Sequence, residues 1–443
     1  MKRFFETLTN IFKIEELRNR ILYTLGFILI YRFGSFVVLP GVNSVALQAS
    51  ASDAQGLAAI LNLFAGGAFS RASIFALGIM PYISASIVMQ LLGIAVPSFQ
   101  KMQKEGESGR KKITQWTRLL TIAICAAQAP GYIATQIPES AIVANSSLFW
   151  VTSIVILITG TMFVMWLGEK ITDKGIGNGI SLLIMIGIIA GFPTSFLFEW
   201  EAQTTTGGGL VIILVELVVL LLVIIATVLL VQGVRRVPVN YAKKVVGSVQ
   251  YGGARQYVPL KVNAAGVMPI IFAQAIMFVP LSLVSVPYFN TEFFNSFAAT
   301  FADVTGFWYN FVFFVMIIAF TYFYTAITIN PKQMADDLKK NGGFVPGVKP
   351  GQQTADFLDN ILSKITLPGS IFLGFIAILP AFAMIAGVSQ GFALFYGGTS
   401  LLIMVGVTLD TLQQVESYLL MRHYDGLMKS GKIAGRSQTA VGI

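Results

Sequence analysis

The sequence is poor in the residues that catalysis usually needs. It has one cysteine, Cys125, in an apolar stretch, and one histidine, His423, near the C-terminus. A lone cysteine forms no internal disulfide or metal cluster, and one histidine leaves Ser–His or Cys–His catalysis almost nothing to work with. No GxxxxGK[ST] phosphate loop is present, so any energy for work must come from a partner. No catalytic residue, metal or cofactor is therefore expected. Charge is scarce too: 12% of residues are Asp, Glu, Lys or Arg, where a soluble domain carries about a quarter. No cleavable leader is evident. Residues 1–20 are charged and amphipathic and read as an interfacial helix, with the first apolar run acting as the insertion signal.

What is abundant is apolar length. The composition is 55% hydrophobic, and a helical span needs roughly 20 mostly apolar residues. Runs of that kind fall at 21–39, 73–97, 116–137, 147–168, 180–199, 210–232, 263–288, 306–329, 366–389 and 392–420. A further run near 57–69 is too short to cross and reads as re-entrant. The expected fold is an all-α polytopic membrane protein of ten transmembrane helices.

The basic residues orient it. Five precede the first span and six lie in 97–118, with two in 169–174, six in 233–262, five in 329–365 and four after 420. The alternate connections, 131–147, 190–209, 286–308 and 386–395, contain none. The positive-inside rule puts the basic side, and both termini, in the cytoplasm. Two of the basic loops exceed what a hairpin needs. Loop 233–262 alternates Val and Tyr with polar residues around Gly-Gly, the pattern of a β-hairpin. Loop 329–365 has a short helical piece, an Asn-Gly-Gly turn and Pro-Gly punctuation. Solvated connectors are the plain alternative; ordered basic loops suggest a docking surface.

Ionisable groups inside the spans are few: Arg32, Asp410, Glu216 and, near an end, Glu416. Glu216 reads either as a proton-coupling group or as a buried carboxyl facing a neighbouring helix or subunit. The second is preferred because no basic residue lies at matching depth. Small and helix-breaking residues interrupt the spans at Gly78, Pro81, Gly179, Gly266, Pro269, Gly397 and Gly398. Irregular backbone at membrane depth is tolerated only where protein or a water-filled cavity satisfies it.

Several long motifs carry a resemblance. They are GGAFSRASIFALGIMPYISASIVMQLL (66–92), KEGESGRKKITQ (104–115), GTMFVMWLGEKITDKGIGNGISLLI (160–184), VNYAKK (239–244), PLKVNAAGVMPIIFA (259–273), NPKQMADDLKKNGGFVPGVKPGQQTADFLD (330–359) and YGGTSLLI (396–403). Over nearly its whole length the chain resembles the SecY family, the channel subunits of the bacterial Sec translocon. The resemblance implies two inverted five-helix halves, 21–200 and 201–420, around a central pore, followed by a cytoplasmic tail, 421–443. It implies a pore ring of Ile79, Ile83, Ile180, Ile184, Ile271 and Ile403. A narrow aliphatic constriction of that kind dewets against ions yet yields to a passing polypeptide. It implies a short re-entrant plug helix at about 57–71, with Leu61, Leu63, Phe64, Gly66, Gly67 and Arg71. It also implies a lateral gate to lipid, where Gln90, Gln128 and Gln274 are placed to hydrogen-bond across helices.

The partners so implied are SecE and SecG subunits, the SecA ATPase, the ribosome, secretory preproteins and nascent membrane proteins. Arg235, Arg236, Lys243, Lys244, Lys339, Lys340 and Lys349 are the expected docking contacts. Two departures stand out: GVKPG puts Lys349 where the family pattern often has arginine, and the first loop's tip reads Gly247-Ser248-Val249 instead of Gly-Arg-Arg. Lysine keeps the charge but loses the planar fork. The implied function is passage of unfolded polypeptides across the bacterial inner membrane and lateral release of transmembrane segments. The rival is an inverted-repeat secondary transporter with Glu216 or Asp410 as coupling residue.

Overall fold

The computed structural model describes residues 14–44, 46–47, 62–143, 146–205, 209–241, 244–246, 249–251, 255–284 and 303–429. These form two compact units. The first takes its described residues from 1–51, 64–187 and 407–443, the second from 52–63 and 188–406. Two of the four divisions fall inside long helices, after Gly187 and after Gly406.

In the first unit, α1 (Glu15–Gly34) continues without a break through the expected boundary at residue 20. It is followed by α2 (Met80–Ala95), α3 (Pro97–Lys104), α4 (Glu107–Gln136) and α5 (Ser146–Lys174). The first turns of α6 (Gly179–Thr205) and the last turns of α13 (Gly398–Lys429) complete the unit. The expected second span, 73–97, becomes helical only at Met80. Gly78 adopts φ +53°, which ends the preceding turn, and Pro81 suits the helix's first turn, where no N–H partner is lost. Phe75 stacks between Tyr31 and Phe163, 6.2 Å and 5.8 Å away between ring centroids. Gly34 makes room for it, since a Cβ there would overlap the Phe75 ring. Arg118 of α4 and Glu169 of α5 form an ion pair at 2.6 Å.

The second unit holds the rest of α6, then α7 (Gly209–Gln232), α8 (Met268–Val284), α9 (Phe307–Thr328), α10 (Pro331–Lys340), α11 (Gln352–Ile385), the single turn α12 (Gln390–Ala393) and the start of α13. Its apolar core gathers Ile270, Ala273, Met277, Phe313, Ile317, Leu373, Ile376 and Leu402. The expected last span, 392–420, is broken at 394–397 before α13 begins. Gly397 packs so closely on the carbonyl of Ile376 that a Cβ would overlap it, and Gly398 has φ +65°.

The two long loops are not solvated connectors. In loop 233–262, β1 (Val234–Tyr241) pairs antiparallel with β4 (Arg255–Lys261), from Val234↔Lys261 to Asn240↔Arg255. Between them β2 (Lys244–Val246) pairs with β3 (Val249–Tyr251). The second loop contributes β5 (Gly343–Phe344), which joins β1 to make a three-stranded sheet of order β4-β1-β5. Val237, Val239, Leu260, Leu338, Val345, Leu358 and Leu362 form its core with α10 and α11.

Among the described residues, five helices are long and apolar enough to cross a membrane, or six if α2 and α3 count as one bent span. They are α5, α6, α7, α9 running on into α10, and α11.

Candidate functional site

The implied pore residues divide between the units. In the first, Ile79 is the buried residue that leads into α2, and Ile83, one turn on, is half-buried, with its N–H donating to Ile79 O at 3.0 Å. Ile180 and Ile184 occupy one face of α6, half-buried and buried respectively. Ile180 lies over Gly168 of α5, where a Cβ would meet its Cγ1 at 2.8 Å. In the second unit, Ile271 is half-buried on the first turn of α8, and Ile403 is buried near the start of α13. Their neighbours Ile270 and Leu402 fill that unit's core.

Of the implied plug, Leu61 lies outside the described residues. Only 62–64 are helical; 65–79 run as turns, most of them buried. The helix thus ends by Phe64, because Gly66 and Gly67 take φ +62° and +82°, which a continuing helix cannot accept. Leu63 and Phe64 are buried. In the first unit the turn is pressed on α6 backbone to backbone. A Cβ on Gly187 would stand 2.7 Å from Phe64 O, and one on Gly66 3.0 Å from Gly187 Cα.

Three side chains hold the same run. Tyr132 Oη donates to Phe69 O at 2.7 Å, and Arg32 Nη1 donates to Gly66 O at 3.1 Å. Arg71 stacks on the exposed ring of Phe36, 4.4 Å from its centroid, with Arg32 5.4 Å from the same ring. Neither arginine has an acidic partner among the described residues.

The three glutamines are half-buried. Gln90 bonds within its own helix, Nε2 donating to Ser86 Oγ at 3.4 Å, one turn back. None of the three makes a cross-helix hydrogen bond among the described residues. Gln274 lines a groove of the second unit with Asn310, Pro380 and Thr399.

Of the basic loop residues, Arg235 and Arg236 are exposed on β1, Lys339 and Lys340 at the end of α10, and Lys349 in the following turn. All five belong to the one sheet-and-helix unit built by both loops. Lys349 O accepts the Thr354 hydroxyl at 2.9 Å, which fixes the backbone of the GVKPG turn. Lys243 lies outside the described residues, and Lys244 is placed only as part of β2. Sequence reasoning singled out Glu216 but missed its surroundings. Gln203 donates to both Glu216 and Glu199, and Glu199 is 1% exposed. Asp410, by contrast, is exposed on α13.

Comparison with known proteins agrees with this architecture. The SecY family model matches residues 73–412. A protein translocase subunit SecY from Streptomyces scabiei is 42% identical over 432 residues, covering 94% of this chain and 98% of the relative. Among solved structures, one concerning the plug domain of SecY and the closed translocation channel matches with TM-score 0.61 at 17% identity, over 90% of this chain and 92% of that one. Sec61 in a canine ribosome-channel complex matches with TM-score 0.60 at 16% identity, over the same shares. Structural likeness at such low identity speaks to the fold; the identity to the Streptomyces relative, over almost the whole of both chains, goes further. The chain belongs to the SecY family of protein translocase subunits.

Proposed function

We propose that this translocation-channel subunit conducts unfolded secretory polypeptides across a bacterial inner membrane and releases transmembrane segments sideways into lipid. The family is one of channels and not of enzymes, so the driving force comes from a partner. In this reading the chain crosses the membrane ten times, with both termini cytoplasmic. Its two halves enclose a pore ringed by Ile79, Ile83, Ile180, Ile184, Ile271 and Ile403. Residues about 57–71 plug it, and Gln90, Gln128 and Gln274 line the lateral gate. Arg235, Arg236, Lys339, Lys340 and Lys349 form one basic face for SecA or the ribosome, whose phosphates reward lysine and arginine without sequence readout. SecE and SecG complete the complex.

One observation carries the channel interior: residues 65–79 are non-helical and mostly buried between helices. Lipid does not accept such backbone, whereas a channel interior does. The test is ion conductance of the purified protein in planar bilayers, with and without residues 57–71. A silent wild type and a leaky deletion support a plugged pore. Two equally silent proteins, both folded, remove the plug and revive the transporter, which in turn requires Glu216→Gln or Asp410→Asn to abolish transport.

A further inference from the structure

Two carboxylates are buried together in the second unit, and neither has a basic partner among the described residues. Glu199 of α6 is 1% exposed and Glu216 of α7 is 7% exposed. Gln203 Nε2 donates to Glu199 Oε1 at 2.8 Å and to Glu216 Oε1 at 3.3 Å, so one amide ties the pair. Glu199 Oε2 accepts the Ser389 backbone N–H at 2.8 Å, which brings in the segment before α12. Glu216 Oε2 is buried with no hydrogen-bond partner, and so are Ser389 Oγ and the Tyr396 hydroxyl. Tyr396 is 4% exposed and within electrostatic reach of both carboxylates.

The stretches that build the cluster offer no basic residue of their own. No Lys, Arg or His occurs between Lys174 and Arg235, nor between Lys364 and Arg422, and these stretches contain every residue of the cluster. From α6 the facing groups are Glu199 and the neutral Gln203, with Glu201 exposed on the adjoining face. From α7 the one ionisable residue is Glu216, and from 386–397 the one titratable group is Tyr396. The end of α11 brings only Ala383 and Met384 to the surrounding apolar cluster. Two ionised carboxylates taken out of water without a counter-charge are strongly disfavoured.

We propose that Glu199 and Glu216 form a cation-binding site that holds one positive charge between their carboxylates. Glu216 Oε2 and the hydroxyls of Tyr396 and Ser389 are its open ligands. The charge is a proton bridging the pair or a small oxygen-seeking metal ion such as sodium or calcium. Filling the site fastens the α6–α7 hairpin to the segment that leads into α13. The inference is independent of the pore, plug and topology proposed above.

The test uses the full chain in lipid nanodiscs, following the thermal midpoint from about pH 5 to about pH 9 in sodium-free buffer with chelator, then with added sodium, or with calcium in excess of the chelator. The wild-type midpoint is expected to fall by roughly 2 °C or more as the pH rises in chelator. Glu216→Gln, which places a neutral amide in the pair, is expected to lose that dependence, and Glu199→Gln serves if the first variant folds poorly. Recovery of the wild type at high pH on adding metal identifies a metal ion. Absence of recovery, with a protonated-carboxyl infrared band at neutral pH that the variant lacks, identifies the proton. A wild-type midpoint indifferent to both pH and cations overturns the proposal, whether or not either variant folds.

Discussion

A single methyl group at Gly187 is expected to unseat the proposed plug. A Cβ there would stand 2.7 Å from Phe64 O and 3.3 Å from Gly66 N. Both are main-chain atoms, so neither can rotate away as a side chain would. The nearer contact is short of ordinary packing by about 0.7 Å. Overpacking of this kind costs about 1–3 kcal/mol, and at 1.4 kcal/mol per decade the ratio of seated to unseated plug falls by about 5- to 150-fold. Alanine also favours a helix over glycine by about 0.5–1 kcal/mol. Gly131→Ala controls for that gain, since Gly131 is helical and a Cβ there meets nothing within 4 Å. The assay is single-channel conductance of the two variants and wild type in planar bilayers. Gly187→Ala should leak several-fold more than wild type while Gly131→Ala stays silent. If both variants are folded and equally silent, residues 64–66 do not take part in the seal and the reasoning fails.

Two further outcomes follow from the same packing. Leu358 is fully buried in the core shared by the two long loops, so Leu358→Ala should cost about 2–5 kcal/mol and make loop 233–262 sensitive to limited proteolysis. Arg235→Ala with Arg236→Ala, both exposed, should leave proteolysis unchanged and weaken ribosome binding with a shallower salt dependence. At the start of α9, Asp303 Oδ1 accepts the Thr305 hydroxyl at 2.6 Å and the Thr305 N–H at 2.9 Å, which holds its carboxyl below the usual carboxylate range. Its stabilisation is therefore complete above the unfolded value of about 4 and lost as the pH falls through the lowered folded one. Protection of the first-turn amides of α9, measured against the intrinsic exchange rate at each pH, should fall in acid for wild type, and Asp303→Asn should show no such step.

How much the sequence revealed depends on whether the deciding contacts are local. The bounds of α7, Gly209–Gln232, fall within a residue of the apolar run 210–232 because glycine and glutamine bracket a stretch that is apolar but for Glu216 and Thr227. By contrast, α4 starts at Glu107 and α11 at Gln352, well before the runs at 116 and 366. Hydropathy reports depth in the membrane, and a helix continues into water wherever charged residues allow it. The β1–β4 hairpin showed in its alternation, but β5 did not. Two residues, Gly343 and Phe344, carry no strand signature, and their pairing with Tyr241 and Asn240 is tertiary. Glu216 stood out as a charge in an apolar helix, while Glu199 looked like an ordinary span end. Only the fold brings the two under one glutamine. The isoleucine positions came from motif alone, since isolated isoleucines in apolar helices have no pattern of their own.

A seal in a passive conduit has to be weak enough for a partner to open without disturbing the fold. The polar and ring contacts on residues 64–72, the described part of the proposed plug, are individually of that size. The hydrogen bonds from Tyr132 to Phe69 O and from Arg32 to Gly66 O contribute about 0.5–1.5 kcal/mol each. The edge-on pair of Phe69 and Tyr132, 4.9 Å apart, adds a similar amount. A partner that docks with micromolar affinity brings about 8 kcal/mol, the same order as these contacts together with the burial of Phe64 and Phe69, enough to shift the proposed plug toward release. Tyr132→Phe isolates one of these contacts. It keeps the ring, removes the donor and leaves the carbonyl of Phe69, a buried residue, without its partner, at about 1–3 kcal/mol. That is roughly a 5- to 150-fold shift toward the open form, expected as raised resting conductance and as polypeptide passage that depends less on the motor. A folded Tyr132→Phe protein that seals as tightly as wild type would show that the Tyr132 hydroxyl is dispensable and leave the closure to the contacts it does not touch, the Arg32 bond to Gly66 O and the Gly66–Gly187 backbone approach.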